Sequence, residues 1–327
     1  MTTLYDRFQV DRLYISRLIF IFLITGCNIK PAPTFDMVEK EGNLIIYKEE
    51  KPVLVYNIES DLPDSLPTYY TRSGHIHPLY SPAGKVLTDG FPVGHAHQHG
   101  VFFAFVRTFF RGEFTDFWNQ QKETGTVRHG QLVDKFVNEE KAGFKAQLEH
   151  LSLKFGVILE EEWKVEVFSI DSGWGIDFNS KVKNIAEDTL FMDKYLYGGM
   201  GIRGSKKWNR ADSIHFQEDA LYLSSRGKDR LNGNHTAAEW AALYGPIDGN
   251  DAGIAVVSHP NNFRYPQKVR IHPVMPYFCF APMVDSAFYL APGDSIYSRY
   301  WIIPFDGQPD PEKLDNLSNK IKKQTKP

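Results

Sequence analysis

Four long segments in succession, Gly125–Val137, Gly143–Lys154, Val157–Phe168 and Trp174–Asn184, follow one another with no helical pattern between them. Apolar and polar residues alternate along them, the period of strands that lay one face on a core. The intervals carry turn signals: Glu140-Lys-Ala-Gly143, Phe155-Gly156, Asp171-Ser-Gly173 and Asn184 to Asp188. Long consecutive strands joined by tight turns pair antiparallel and stack on a second sheet, which excludes a parallel sheet with crossover helices. The fold class predicted is all-β, a large antiparallel β-sandwich.

The remaining segments fit that frame. Leu44–Tyr47 and Pro52–Asn57, separated by charged Lys48 to Lys51, read as a starting hairpin. Gly100–Phe110 contains five phenylalanines and predicts a central strand buried on both faces. Gly198 to Gly204 and Ser224 to Thr236 are loops of the kind that carry function on a sheet scaffold. Strands resume at Ala252–Ser258, Pro276–Ala281, Ala287–Leu290 and Ser295–Ile303. Only Pro309 to Lys323 reads as a helix, with Leu314, Leu317 and Ile321 on one face and Pro311 in the first turn. One sandwich domain over residues 37–308 and a short helical tail over 309–327 are expected.

At the start, Arg7, Arg12 and Arg17 precede the apolar run Leu18 to Ile24 and then Thr25-Gly26-Cys27. The run is shorter than the ~20 residues of a membrane span and has the order of a secretion signal, residues 1–26. Ile24-Thr25-Gly26-Cys27 resembles a bacterial lipobox, so Cys27 is the expected lipidation site and residues 27–36 a tether. The chain is then a lipoprotein of the bacterial cell envelope, lipid-anchored to a membrane and facing the periplasm. A net charge of −3 without a basic cluster before the tail argues against a nucleic-acid partner. With Cys27 lipidated, Cys279 has no partner and reads as a buried strand thiol.

Arg72 to Gly100 carries five of the eleven histidines. His75 and His77 are two apart, as are His95, His97 and His99, and on an extended strand each set shares a face. Three imidazoles on one face are candidate ligands for a divalent metal, and two of them suffice with a third ligand from His77, His129, His259 or Glu162. The other reading is direct contact with a polar ligand, or plain hydrogen bonding within the fold. Glu160 and Glu162 share the face opposite Glu161, Leu159 and Trp163. A carboxylate beside an imidazole makes an acid–base pair, so His95, His97, His129 and Glu162 are the catalytic candidates. For substrate binding the candidates are Arg72, His77, His99, Trp118, Asn119, Arg203, Trp240 and His259, the tryptophans as stacking platforms and the polar groups as hydroxyl partners. No phosphate loop, serine-nucleophile elbow or Cys-x-x-Cys pair is present.

Gly74-His-Ile-His-Pro-Leu-Tyr-Ser-Pro-Ala-Gly-Lys-Val-Leu-Thr-Asp89, the His95-x-His97 segment, Asp116-Phe-Trp118 and Gly253-Ile-Ala-Val-Val-Ser-His-Pro260 together resemble the PmoA-like family of bacterial secreted proteins. The resemblance implies a sandwich similar to the galactose-mutarotase-like supersandwich and a carbohydrate or carbohydrate-derived ligand. The methane-oxygenase label of that family is not carried over, because the subunit of that name spans the membrane many times and this chain has one short apolar run. The expected function is therefore carbohydrate processing by His/Glu acid–base chemistry, of epimerase, lyase or hydrolase type. A noncatalytic glycan-binding lipoprotein and a His-liganded metal-dependent oxygenase are the alternatives.

Overall fold

The chain divides into two units, Met1–Ala32 and Pro33–Pro327, and the computed structural model describes residues 34–324, within the second. The expected signal peptide 1–26, Cys27 and most of the tether lie outside the described residues. Phe35, inside the range expected for the tether, is buried and opens the first strand, paired with Lys48.

Three antiparallel sheets make up the body. Nine strands form the first, in the order β1 (Phe35–Lys40), β2 (Asn43–Lys48), β3 (Lys51–Asn57), β4 (His75–Leu79), β5 (Val101–Ala104), β13 (Gly199–Arg203), β19 (Tyr277–Phe280), β18 (Lys268–Ile271) and β15 (Thr236–Ala237). Eight form the second, in the order β14 (Leu221–Ser224), β16 (Trp240–Ile247), β17 (Asn250–Ser258), β21 (Ser295–Asp306), β11 (Gly173–Asn184), β10 (Gly156–Ile170), β9 (Lys141–Ser152) and β8 (Gly125–Val137). A small sheet of β20 (Phe288–Leu290), β12 (Leu190–Met192), β6 (Thr108–Phe110) and β7 (Glu113–Thr115) completes the set.

The four predicted segments are β8 to β11, each paired with the next. On β9, Ala142, Phe144, Ala146, Leu148 and His150 are buried while Lys145, Gln147 and Glu149 are not. Aromatic contacts tie the first sheet to the second: Tyr56 lies with its ring centroid 4.7 Å from that of Phe144 and 5.9 Å from that of Trp163, and Phe280 lies 5.4 Å from Tyr300. A second apolar cluster, with Trp240, Val257 and Trp301, is covered by helix α1 (Pro311–Gln324) through Leu314 and Ile321. The sequence places that helix and its buried face correctly.

Gly100–Phe110 departs from expectation. It is buried up to Val106 but is not one strand: β5 ends at Ala104, and Arg107, exposed and with φ 49°, turns the chain out of the large sheet into the small one.

Candidate functional site

The histidine segment after Gly94 is a loop of successive turns rather than a strand, with His95 N donating to Pro92 O at 3.1 Å and Gln98 N to His95 O at 3.0 Å. Its end is pinned at Gly100, whose N donates to Asp89 O and whose O accepts from Arg203 N, each at 2.7 Å. A Cβ at Gly100 would lie 2.1 Å from Ile76 O, and φ is +42°, so only glycine fits this approach to β4. The two-residue spacing therefore does not align three imidazoles. His95 and His97 come together, with ring centroids 5.5 Å apart, while His99 turns into the core, its Nδ1 bonding Gly90 O at 2.8 Å and its Nε2 facing Gln120 Nε2 at 3.3 Å.

His95 and His97 line a cavity of about 280 Å³. His272, on the β18–β19 turn, joins them with its ring centroid 5.9 Å from that of His95. Its Nδ1 accepts from Val274 N at 3.3 Å and Met275 N at 3.0 Å, so the neutral ring carries its proton on Nε2. No hydrogen bond engages the rings of His95 or His97 among the described residues, leaving four nitrogens for a ligand. Burial, with the charges of His95 and Arg203 behind it, pushes His97 down to about 3, and burial and neighbouring arginines push His272 down to about 4. His95 is lowered by burial and Arg203. All three rings are neutral at physiological pH.

The rest of the wall is polar and aromatic. Asn119 is held rigid: Asp116 accepts from its backbone N at 2.9 Å and its Nδ2 at 2.8 Å, and its Oδ1 accepts from Tyr197 Oη at 3.0 Å. Burial raises the Tyr197 pKa, which keeps the phenol protonated. Tyr277, Arg270 and Met275 close the other side. Behind the floor lies Arg203, fully buried, with Nη1 donating to Gln98 Oε1 at 2.9 Å. Of the residues predicted from sequence, His95, His97 and Asn119 line the cavity and Arg203 backs it.

The others lie elsewhere. Trp118 is fully buried against Phe102 and Tyr197, and Trp240 is buried beneath α1 with Nε1 donating to Asp315 Oδ1 at 2.7 Å, so neither is a stacking platform. Arg72 is sealed in the core, donating to Phe103 O at 2.9 Å with its guanidinium 5.3 Å from the Phe102 ring centroid. His77 bonds Thr88 Oγ1 at 3.0 Å and lines a separate cavity with Lys85 and Lys206. His129 bonds Tyr56 Oη at 2.8 Å on β8. His259 stacks on Trp301 with centroids 5.5 Å apart. Glu162 is exposed on the outer face of β10 opposite Lys181, because the alternation that buries Glu161 and Trp163 turns it to solvent. The expected pairing of a site histidine with Glu162 is thus corrected. Among the described residues no three His, Cys, Asp or Glu side chains gather in an arrangement that could hold a metal ion.

Sequence reasoning missed His272, Tyr197 and Arg270, which reach the cavity from strands and turns far along the chain. It also missed a buried pair in the core, His150 and Glu161, although the inward period of β9 and β10 points both side chains there.

The family described as "Family of unknown function (DUF6807)" matches residues 44–319. That finding overturns the resemblance to the PmoA-like family. No curated protein matches the chain. Among solved structures, a GH36 α-galactosidase from Geobacillus stearothermophilus is similar at 10% identity and TM-score 0.36, over 84% of this chain and 41% of that one. This chain thus spans about two fifths of that enzyme. A galactose mutarotase related enzyme from Lactobacillus acidophilus has 10% identity and TM-score 0.35, over 83% and 97% of the two chains. A galactose mutarotase-like protein from Lactobacillus casei has 8% identity and TM-score 0.33, over 83% and 99%.

Proposed function

The chain belongs to the family described as "Family of unknown function (DUF6807)", and we propose that it binds a carbohydrate or carbohydrate-derived compound in the cavity of His95, His97 and His272 and moves a proton on it. The observation that carries this reading is the pair of neighbouring imidazoles, His95 and His97, neutral and without a protein partner in a cavity. Neutral imidazoles accept protons and bond hydroxyls. A cavity of about 280 Å³ is at the lower edge of ligand sites, which span ~300–1,000 Å³, and suits one sugar ring. Tyr197 and Tyr277 offer flat apolar walls, and Asn119 fixes the Tyr197 ring.

Among the described residues the lining contains no carboxylate. Glycoside hydrolysis by paired carboxylates therefore has no residues here, and the chemistry favoured is epimerase- or lyase-type proton transfer. In it His95 or His97 takes the proton, and the Nε2–H of His272 bonds the oxygen on which charge develops. Lipidation at Cys27 would hold this body at a membrane of the cell envelope.

The test is turnover and binding of a panel of monosaccharides and uronates, followed by nuclear magnetic resonance, for the native chain and His95→Ala/His97→Ala. Loss of binding and turnover with circular dichroism unchanged supports the reading; full activity in the variant removes the cavity from the mechanism. His129→Ala and Glu162→Ala, both outside the cavity, are expected to act like the native chain.

A further inference from the structure

Positive charge collects around this cavity, and no carboxylate stands in its lining to answer it. Arg270 is in the wall, and among the described residues no aspartate or glutamate lines it. Arg203 reaches the floor from behind, its Nη1 bonding Gln98 Oε1 at 2.9 Å and Met275 Sδ at 3.3 Å, and both of those residues line the cavity. A thioether is a weak acceptor. Arg203 Nε and Nη2 are sealed from solvent without a partner. Arg230 supports the same turn, donating Nη1 to His272 O at 2.6 Å and Met275 O at 2.8 Å. Arg270 donates to Asn234 Oδ1 at 3.1 Å. All of these acceptors are neutral. The carboxylates whose fields reach these arginines, Asp89 toward Arg203 and Asp219 toward Arg230, stand outside the cavity lining and accept none of these hydrogen bonds.

A guanidinium buried with so few partners costs several kcal/mol unless a counter-charge arrives. Resting on the carbohydrate reading above, we infer that the ligand is a sugar acid whose carboxylate seats beside Arg270, His95 and His272 and provides the counter-charge that the cavity lining does not. A neutral sugar leaves Arg270 without a carboxylate partner. A carboxylate does more than bind: a negative charge beside the three imidazoles favours their protonated forms, so ligand binding and proton uptake are linked. The ligand thereby strengthens as bases the histidines that would act on it.

The experiment is titration calorimetry of the purified full chain in two buffers of different ionisation enthalpy. The probes are galacturonate and glucuronate, the parent galactose and glucose, galactose 6-phosphate, and acetate. A uronate binding at least tenfold tighter than its parent sugar is expected, with proton uptake appearing as the buffer is taken down toward pH 5. Arg270→Gln should remove that preference and Arg270→Lys should keep most of it. Equal or tighter binding of the neutral sugars overturns the inference and leaves the carbohydrate reading standing. Tighter binding of the phosphate ester overturns the carboxylate. Acetate binding as tightly as a uronate overturns the carbohydrate reading, and no binding by any probe overturns both.

Discussion

The Glu161 carboxylate accepts a hydrogen bond from His150 Nε2 at 2.8 Å with neither side chain exposed, and this pair sits in the core rather than in the cavity. Glu161 Oε1 also accepts from Trp163 Nε1 at 2.6 Å and Ser180 Oγ at 2.5 Å. Removing the carboxylate strands three buried donors at once. Glu161→Ala is expected to cost about 3–5 kcal/mol, the loss typical of breaking a buried pair, read as a lower urea midpoint. A change below ~1 kcal/mol would show that the network adds nothing to stability.

Gly100→Ala is expected to destabilise by more than ~2 kcal/mol, because the left-handed backbone alone costs ~1–2 kcal/mol in a residue with a Cβ. The new methyl would also meet Ile76 O at 2.1 Å. Since Gly100 O accepts from Arg203 N, ligand affinity should fall with stability. Gly84→Ala, where a Cβ meets nothing within 4 Å but φ is +85°, should lose stability without losing affinity.

Acid should destabilise the protein from near pH 6.5 downward. Burial holds His77 at about 4 and His97 at about 3, and holds His75 and His99 well below the ordinary 6.5. The unfolded chain binds protons that the native state refuses, so stability is full above pH 6.5 and is lost as pH falls toward 4. Each such histidine adds at most ~1.4 kcal/mol per pH unit in that window. Urea midpoints at pH 7.5 and 5.0 read the effect directly, and equal midpoints would mean that these rings are protonated in the native state.

Trp240→Phe keeps the ring in the second apolar cluster and removes the donor to Asp315 on α1. A loss of roughly 1 kcal/mol is expected, together with faster amide exchange along α1. Sugar affinity should not move, because Trp240 lies beneath the helix and outside the cavity lining; a weakened affinity would return this tryptophan to the binding site.

Local periodicity made β8 to β11 and the buried face of α1 readable, since each depends on contacts set by neighbours in sequence. The break at Arg107 was not readable, because the apolar residues on either side of it form one near-continuous run with no alternation to mark a change of sheet. His95 and His97 were grouped by spacing on an assumed strand, and turns achieve the grouping instead. His272 is brought to His95 by the pairing of β19 with β13 and of β13 with β5, which no local pattern reports. The inward period of their strands places His150 and Glu161 in the core, but that they meet is set by the bulged register of β9 on β10, which the period alone does not report.

β5, β13 and β19, which support the cavity, lie fifth, sixth and seventh of the nine strands in the first sheet. Sheets open from their edges inward, and interior strands exchange their amides only in openings close to global unfolding. The floor under a ligand is then in place before it arrives, while His95, His97, Asn119, Tyr197 and His272 come to it on loops and turns. Recognition here would resemble a hand closing over a fixed palm, with selectivity expressed in how slowly the right ligand leaves.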